Sequence, residues 1–293
     1  MKEKAIIRAK EVIKMEIGVF SKVYARKSCE EAFSDIAKDG IHHVQFNFET
    51  IGKDPLPAYA EEELLDEIIA ASEKYDIKID ALSGTFNMID PDPIKKQEAI
   101  RQFAYQCYLA HRIKAPIITL CTGSKNENKW KWDDRNLLEE SYQELLDTTR
   151  IILEYAEKYD IVLGVEPEPT NVINNPQKAR RYLDDIDDEH LKIVMDGANL
   201  FTRKNVDQMD EVLEESFSLL GKDVCLAHGK DLYMKDGNTI YTGSGMGKIN
   251  FPLFVSLLNK YGYNGPIIMH GLKEEDVPSC RDYLKGVMDG NLY

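Results

Sequence analysis

The sequence lacks a long hydrophobic run and a cysteine framework. No stretch of about 18 apolar residues occurs, and charged residues interrupt positions 1–18, where a signal peptide would need an apolar core. We therefore expect a cytoplasmic protein without a membrane segment. The five cysteines are scattered and form no Cys-x-x-Cys pair, which favours reduced thiols over disulfides or a thiolate zinc site.

An excess of positive charge is also absent. The chain has 37 Lys and Arg against 51 Asp and Glu, a net charge of −14. Such a surface repels phosphate backbones, so we expect a small-molecule ligand rather than nucleic acid, and a homo-oligomer stays open. The chain is 43% hydrophobic and 30% charged, which excludes disorder.

Short β-branched runs alternate with longer segments of helical periodicity along the whole chain. Ser28 to Lys38 opens with a Ser-x-x-Glu capping box, and Glu61 to Tyr75 repeats apolar residues on one face. Eight such units, without a linker, predict one (β/α)8 TIM barrel over residues 1–293. The predicted strands begin near Lys14, His42, Ile77, Ala115, Ile161, Leu191, Val224 and Gly265.

Four chemically active side chains end the last four predicted strands. These residues are Glu166, Asp196, His228 and His270. Catalytic residues of a TIM barrel lie at the C-terminal ends of its strands, so the four side chains are expected to converge. Two carboxylates and two imidazoles suit one divalent ion of Mn, Zn, Co or Fe.

Four motifs in order resemble the xylose-isomerase-like TIM-barrel family of sugar (phosphate) isomerases and epimerases. The motifs are VLGVEPEPTNVINNPQKARRYLDDI, KIVMDGANLF, CLAHGKD and GYNGPIIMHGLKEEDVPSCRDYL. The resemblance implies that Glu166, Asp196, His228 and position 270 bind a divalent metal. Position 270 departs from the family pattern, because the family has Glu where this chain has His270.

This departure affects the mechanism that the resemblance implies. In the family, epimerases use the glutamates of strands 5 and 8 as paired acid/base groups on a metal-bound enediolate. Glu166 keeps the first role, and His270 is either a metal ligand or a free acid/base, of which we predict the ligand. Isomerisation needs only one base, so the loss of the second glutamate counts more against epimerisation.

Five further residues are candidates for substrate binding. Glu168 follows Glu166 by two positions, Asn199 follows Asp196 by three, and Lys230 lies in the HGKD motif. Each also has a structural interpretation, as a solvated loop residue, a turn residue or a surface ion pair. Trp130 and Trp132 lie in a long loop after strand 4, where an indole stacks on a sugar or packs within the loop.

The sequence leaves more than one function open. The leading interpretation is a metal-dependent isomerase or epimerase of a small sugar or sugar phosphate. A metal-dependent sugar-acid or polyol dehydratase is the alternative, as is a barrel that binds a metabolite without turnover. The net charge argues against the related endonucleases. The glycine-rich turn at 243–248 is a weak candidate for phosphate binding, since glycine clusters are usually turns.

Overall fold

Eight parallel strands close into a barrel, which confirms the predicted fold. The computed structural model describes residues 15–291, so the predicted strand start at Lys14 lies outside the described residues. The strands are β1 (Ile17–Phe20), β2 (His43–Phe46), β3 (Lys78–Ser83), β4 (Ile117–Leu120), β5 (Val162–Val165), β6 (Leu191–Asp196), β7 (Val224–Lys235), β8 (Asn238–Gly243) and β9 (Ile267–Met269).

The barrel follows the chain order from β1 to β7 and closes through β9, which pairs in parallel with both β7 and β1. A small apolar cluster fills its interior. It consists of Phe20, Ala81, Val194, Leu226 and Ile268, all at most 5% exposed. A Cβ added at Gly18 would lie 2.5 Å from the side chain of Ile268, so the narrow interior requires glycine there. This cluster closes the barrel interior below the C-terminal ends of the strands.

The helices cover the outside of the barrel. They are α1 (Cys29–Lys38), α2 (Glu62–Tyr75), α3 (Pro93–Arg112), α4 (Glu139–Lys158), α5 (Pro176–Ile186), α6 (Met209–Leu220), α7 (Phe251–Lys260) and α8 (Val277–Met288). The predicted capping box begins α1, because Ser28 Oγ accepts a hydrogen bond from Glu31 N at 3.2 Å. The Glu31 carboxylate accepts in turn from Lys27 N, one residue before the N-cap.

A β-hairpin on β7 was not expected from the sequence. The first half of β7 belongs to the barrel, and its second half pairs antiparallel with β8, from Lys230 opposite Gly243 to Lys235 opposite Asn238. The turn consists of Asp236 and Gly237, whose φ angles are 50° and 78°. Two positive φ angles are the requirement of a type I′ turn, which favours Asp-Gly.

Other features agree with the expectations from composition. All five cysteines are unpaired. No helix within residues 15–291 is long and apolar enough to cross a membrane. At the start of β2, away from the strand ends, His43 Nδ1 lies 2.7 Å from the buried Asp80 carboxylate.

Candidate active site

The four strand-end residues meet at one mouth of the barrel. Glu166 follows β5, Asp196 is the last residue of β6, and His270 follows β9. His228 lies in β7, directly opposite Asp196 in the strand register. Because these strands are parallel neighbours, their C-terminal ends place all four side chains on the same face.

His228 is the centre of this group. Its Nδ1 atom lies 3.4 Å from Glu166 Oε1 and 3.5 Å from Asp196 Oδ2. Its Nε2 atom lies 2.8 Å from Oε1 of the buried Gln45, on β2, and Gln45 Nε2 donates to Thr119 Oγ1 on β4. Since an amide oxygen only accepts, Gln45 requires a proton on Nε2 and directs Nδ1 toward the two carboxylates.

His270 lies against His228. The two imidazoles stack with centroids 5.3 Å apart, and the Phe20 ring packs 5.2 Å from His270. Burial, together with the positive charges of Lys230 and His228, lowers the pKa of His270 well below its ordinary value. His270 is therefore a neutral imidazole, the form that binds metals.

Lys230 and Asn199 connect the two carboxylates. The Lys230 ammonium lies 2.9 Å from Asp196 Oδ2 and donates to Asn199 Oδ1 at 2.8 Å. The Asn199 amide donates to Glu166 Oε1 at 2.6 Å. Tyr241, from β8, places its ring 4.6 Å from the ammonium. Lys230 is 5% exposed, so the surface ion pair considered from the sequence is the wrong interpretation of this residue.

The buried charges shift each other's pKa. Burial raises the pKa of Asp196, but the Lys230 ammonium and the His228 imidazole lower it more, and the net value lies far below the ordinary one. Burial lowers the pKa of His228, but the carboxylates of Glu166 and Asp196 more than compensate and raise it to about 9. Without a bound cation, His228 is thus protonated and shares the two carboxylates with the Lys230 ammonium.

Asp196, His228 and His270 fit a divalent cation. Each offers one ligand atom, and the three atoms lie within 4.8 Å of one another. In the described part of the chain, Nδ1 of His228 and Nδ1 of His270 are buried without a hydrogen-bond partner. Bonds of about 2.1 Å in a tetrahedral site put ligand atoms about 3.4 Å apart. The distances from His228 Nδ1 to the carboxylate oxygens, 3.4 and 3.5 Å, match this spacing.

A second group adjoins the first at Glu166. Cys121, directly after β4, and Glu168 each place a ligand atom within 4.8 Å of the other and of a Glu166 oxygen. Burial, followed by the negative charge of Glu166, raises the pKa of Glu168 to about 8. Burial also raises the pKa of the Cys121 thiol. The mouth thus contains two neighbouring carboxylates at the end of β5.

The glycine-rich turn at 243–248 is closed to phosphate by Asp231. This carboxylate is 1% exposed. It accepts hydrogen bonds from Gly245 N at 3.0 Å and from Gly247 N and Ile249 N at 2.9 Å each. Because these backbone donors already bind an anion within the protein, they do not form a phosphate site. Asp231 is a structural partner of the hairpin.

Comparison with known proteins identifies the family. The model of the xylose isomerase-like TIM barrel family matches residues 33–285. This chain belongs to that family. The match spans most of the barrel, from α1 to α8, and includes Glu166, Asp196, His228 and His270.

Three solved structures share the fold. A D-tagatose 3-epimerase-like protein aligns with a TM-score of 0.75 at 18% identity, covering 94% of this chain and 98% of that one. A 3-keto-D-glucoside 4-epimerase from E. coli aligns at 0.72 and 16% identity, covering 93% and 99%. The IolI protein with a bound zinc atom aligns at 0.72 and 15% identity, covering 95% and 99%.

The other predicted site residues lie in two places. Glu168, Asn199 and Lys230 contact or adjoin the strand-end group. The side chains of Trp130 and Trp132 are 51% and 37% exposed, and the Trp132 indole donates to Asp134. The Trp130 ring lies 5.3 Å from the Lys129 ammonium. The stacking of either indole on a sugar stays a prediction.

Three residues of the mouth were missed from the sequence. Gln45 and Cys121 lie at positions that no spacing pattern in the sequence singles out. Tyr241 enters the site only because β8 folds back along β7, and the signal that predicts this is the Asp-Gly turn between alternating strands.

Proposed function

We propose that this protein is an isomerase or epimerase of a small sugar or sugar phosphate and uses one divalent metal ion. The observation that carries the proposal is the convergence of Asp196, His228 and His270 beside the carboxylate of Glu166, with two buried imidazole nitrogens lacking a partner within residues 15–291. The family supports it, as do the structural neighbours described as a 3-keto-D-glucoside 4-epimerase and a D-tagatose 3-epimerase-like protein.

Asp196, His228 and His270 would hold the ion, with Glu166 next to them. The zinc atom in the IolI structure supports a metal in this fold. The mixed nitrogen and oxygen ligands suit Mn, Zn, Co or Fe. A divalent ion there would act as a Lewis acid on a sugar carbonyl and its neighbouring hydroxyl, which makes the adjacent C–H bond more acidic.

Glu166 is the proposed base that removes this proton. The Asn199 amide holds its Oε1 atom at 2.6 Å and so fixes the orientation of the carboxylate. The Lys230 ammonium, which in turn holds Asn199, supplies positive charge near the substrate oxygens. Asn199 and Lys230 therefore position the base and stabilise the negative charge that develops when the proton leaves.

The geometry favours isomerisation over epimerisation at one carbon. Inversion needs acid/base groups on opposite faces of the substrate, whereas transfer between neighbouring carbons needs one base on one face. Glu166 and Glu168 both follow β5 and approach from the same side of the mouth. His270 follows β9, away from β5, and is a metal ligand in this proposal, so it does not supply the second acid/base group.

The metal is tested by elemental analysis. Wild-type protein reconstituted with Mn²⁺, Zn²⁺ or Co²⁺ and then desalted should retain about one ion per chain. The Asp196→Ala variant should retain much less, and Asp184→Ala, which changes an exposed aspartate on α5, should behave like wild type. Equal retention by wild type and Asp196→Ala would contradict the metal site.

The chemistry is tested by turnover across a panel of aldoses, ketoses and their phosphates, with and without metal. Glu166→Gln should abolish turnover in protein that still folds cooperatively, since an amide cannot take the proton. Glu154→Gln, at an exposed position of α4, is the matched control. Full activity in Glu166→Gln would remove this residue from the mechanism.

A further inference from the structure

Lys129 is a partly buried cation that lacks a counter-charge. It lies in the loop after β4, residues 121–138, and its ammonium donates to the backbone oxygen of Thr85 at 2.9 Å. Within residues 15–291 no carboxylate forms an ion pair with it. Lys125 of the same loop and Lys230 of β7 differ, because Lys125 pairs with Glu144 and Lys230 pairs with Asp196. The Trp130 ring also packs against Lys129, with its centroid 5.3 Å from the ammonium. Neither the carbonyl oxygen nor the ring carries a full negative charge, so the ammonium keeps its attraction for an anion from outside.

The Lys129 ammonium lies at the C-terminal ends of the strands, because Thr85, whose backbone oxygen it contacts, follows the end of β3 by two residues. Burial lowers its pKa, and the charge of Lys22 lowers it further, while Cys121 and Glu49 oppose both effects. These neighbours follow or belong to the ends of the first, second and fourth barrel strands. Cys121 also adjoins the carboxylates of Glu166 and Glu168. Lys129 therefore lies across the mouth from the ligand group of β6, β7 and β9.

A buried polar network holds Lys129 in this position. Asn171, which is fully buried, donates to the backbone oxygen of Lys129 at 3.2 Å and accepts from Gly123 N at 2.6 Å. Asn136, 1% exposed, accepts from Lys125 N and donates to the backbone oxygen of Thr170. Both amides join the loop after β4 to the loop after β5. The lysine is thus ordered before any ligand binds, which favours affinity.

The negative charges around the mouth repel an anionic substrate, so such a substrate needs a cationic residue to bind its charged group. The protein carries a net charge of −14, and the mouth itself contains Glu166, Glu168 and Asp196. The backbone donors of the glycine-rich turn are already bound to Asp231. Lys230 is paired with Asp196, whereas Lys129 has no carboxylate partner within residues 15–291 and is available to an anion. Lys22 is itself only loosely paired, at 3.7 Å from Glu49.

We propose that the substrate carries an anionic group, a carboxylate or a phosphate ester, and that Lys129 binds this group while the other end of the substrate lies at Asp196, His228 and His270. The inference rests on the proposed function and adds to it the class of substrate, an acidic sugar rather than a neutral one. Lys129 is a binding residue here and takes no part in proton transfer.

Calorimetric titration of metal-loaded protein with three related probes tests this proposal. The probes are glucose, glucuronate and glucose 6-phosphate, which differ in the group at carbon 6. At least one anionic probe should bind about tenfold or more tightly than glucose, and added salt should weaken that preference. The better anionic probe tells whether the site takes a carboxylate or a phosphate. The absence of any preference for an anionic probe over glucose overturns the proposal.

Variants of the same loop assign the preference to Lys129. Lys129→Met should reduce the affinity for the anionic probe about tenfold or more and leave glucose unchanged, and Lys129→Arg should keep the preference. Lys131→Met, at an exposed lysine two residues further on, is the matched control. An equal loss for glucose and the anionic probe in Lys129→Met contradicts an anion receptor. Metal retention is measured on the same samples, so failure of this inference is distinguished from failure of the metal site.

Discussion

Replacing Asp231 by Asn should strongly destabilise the hairpin that borders the mouth. The buried carboxylate accepts four backbone hydrogen bonds, two at each oxygen. Oδ1 accepts from Leu232 N and Ile249 N, and Oδ2 from Gly245 N and Gly247 N. An asparagine keeps one oxygen and presents an NH2 group in place of the other. Two backbone N–H groups then face a donor instead of an acceptor.

The magnitude follows from these two lost bonds. A hydrogen bond to a charged group contributes about 1.5–3 kcal/mol, so Asp231→Asn should reduce the free energy of unfolding by about 3–6 kcal/mol. At about 2–4 °C for each kcal/mol, the melting temperature should fall by at least about 6 °C. Asp231 is 1% exposed, and solvent therefore cannot replace the missing acceptor.

The assay is urea unfolding followed by circular dichroism, with metal-free protein so that ligand effects are absent. Asp236→Asn is the control, because it makes the same chemical change at the exposed tip of the same hairpin and should alter stability by less than about 0.5 kcal/mol. A loss below about 1 kcal/mol in Asp231→Asn, with an unchanged denaturant slope, would refute this account of the turn.

Three further predictions concern the metal group and the loop after β4. His270→Ala should weaken metal retention, and His270→Glu should preserve it because a carboxylate can take the same coordination position; equal retention in wild type and His270→Ala would show that His270 is not a ligand. Metal binding must displace the proton of His228, whose pKa is raised to about 9. The affinity for the metal, measured by calorimetry, should therefore rise about tenfold per pH unit between pH 7 and 9 and then level off. A metal affinity that is constant over this range would contradict the prediction. Gly123→Ala should lower the melting temperature, because φ is +83° and the new Cβ would lie 2.1 Å from Asn87 Oδ1 and 2.9 Å from Met88 N; an unchanged melting temperature would argue against this packing.

The barrel was predictable because alternation of strand and helix leaves few other arrangements. Eight apolar runs separated by amphipathic segments require a parallel sheet with both faces covered, and the strand starts followed from turn residues. The positions of Glu166 and Asp196 at strand ends followed from the same pattern, whereas β7 continues past His228, where the sequence had predicted its end. Their common mouth is a consequence of parallel strands.

The missing parts of the prediction depend on contacts between residues far apart in the chain. Gln45 contacts His228 only because closure of the barrel brings β2 and β7 face to face across the interior, over a separation of 183 residues. Lys129 turns inward because Asn171, from the next loop, holds its backbone. The hairpin differs, because its signal is local in the sequence. Asp236 and Gly237 form an Asp-Gly turn between two segments in which apolar and polar residues alternate.

β7 belongs to two sheets, and this divides the site into separately variable parts. Its barrel pairings end at His228 and Gly229, and its antiparallel pairings begin at Lys230. His228 is therefore fixed by the barrel register, whereas the surroundings of Lys230, including Tyr241, are set by the hairpin. Changes in the sequence of the hairpin beyond Asp231 should therefore alter the surroundings of Lys230. They should leave unchanged the distances among the proposed metal ligands Asp196, His228 and His270. Tyr241 and the hairpin residues that flank it are accordingly the place at which directed evolution of substrate preference should begin.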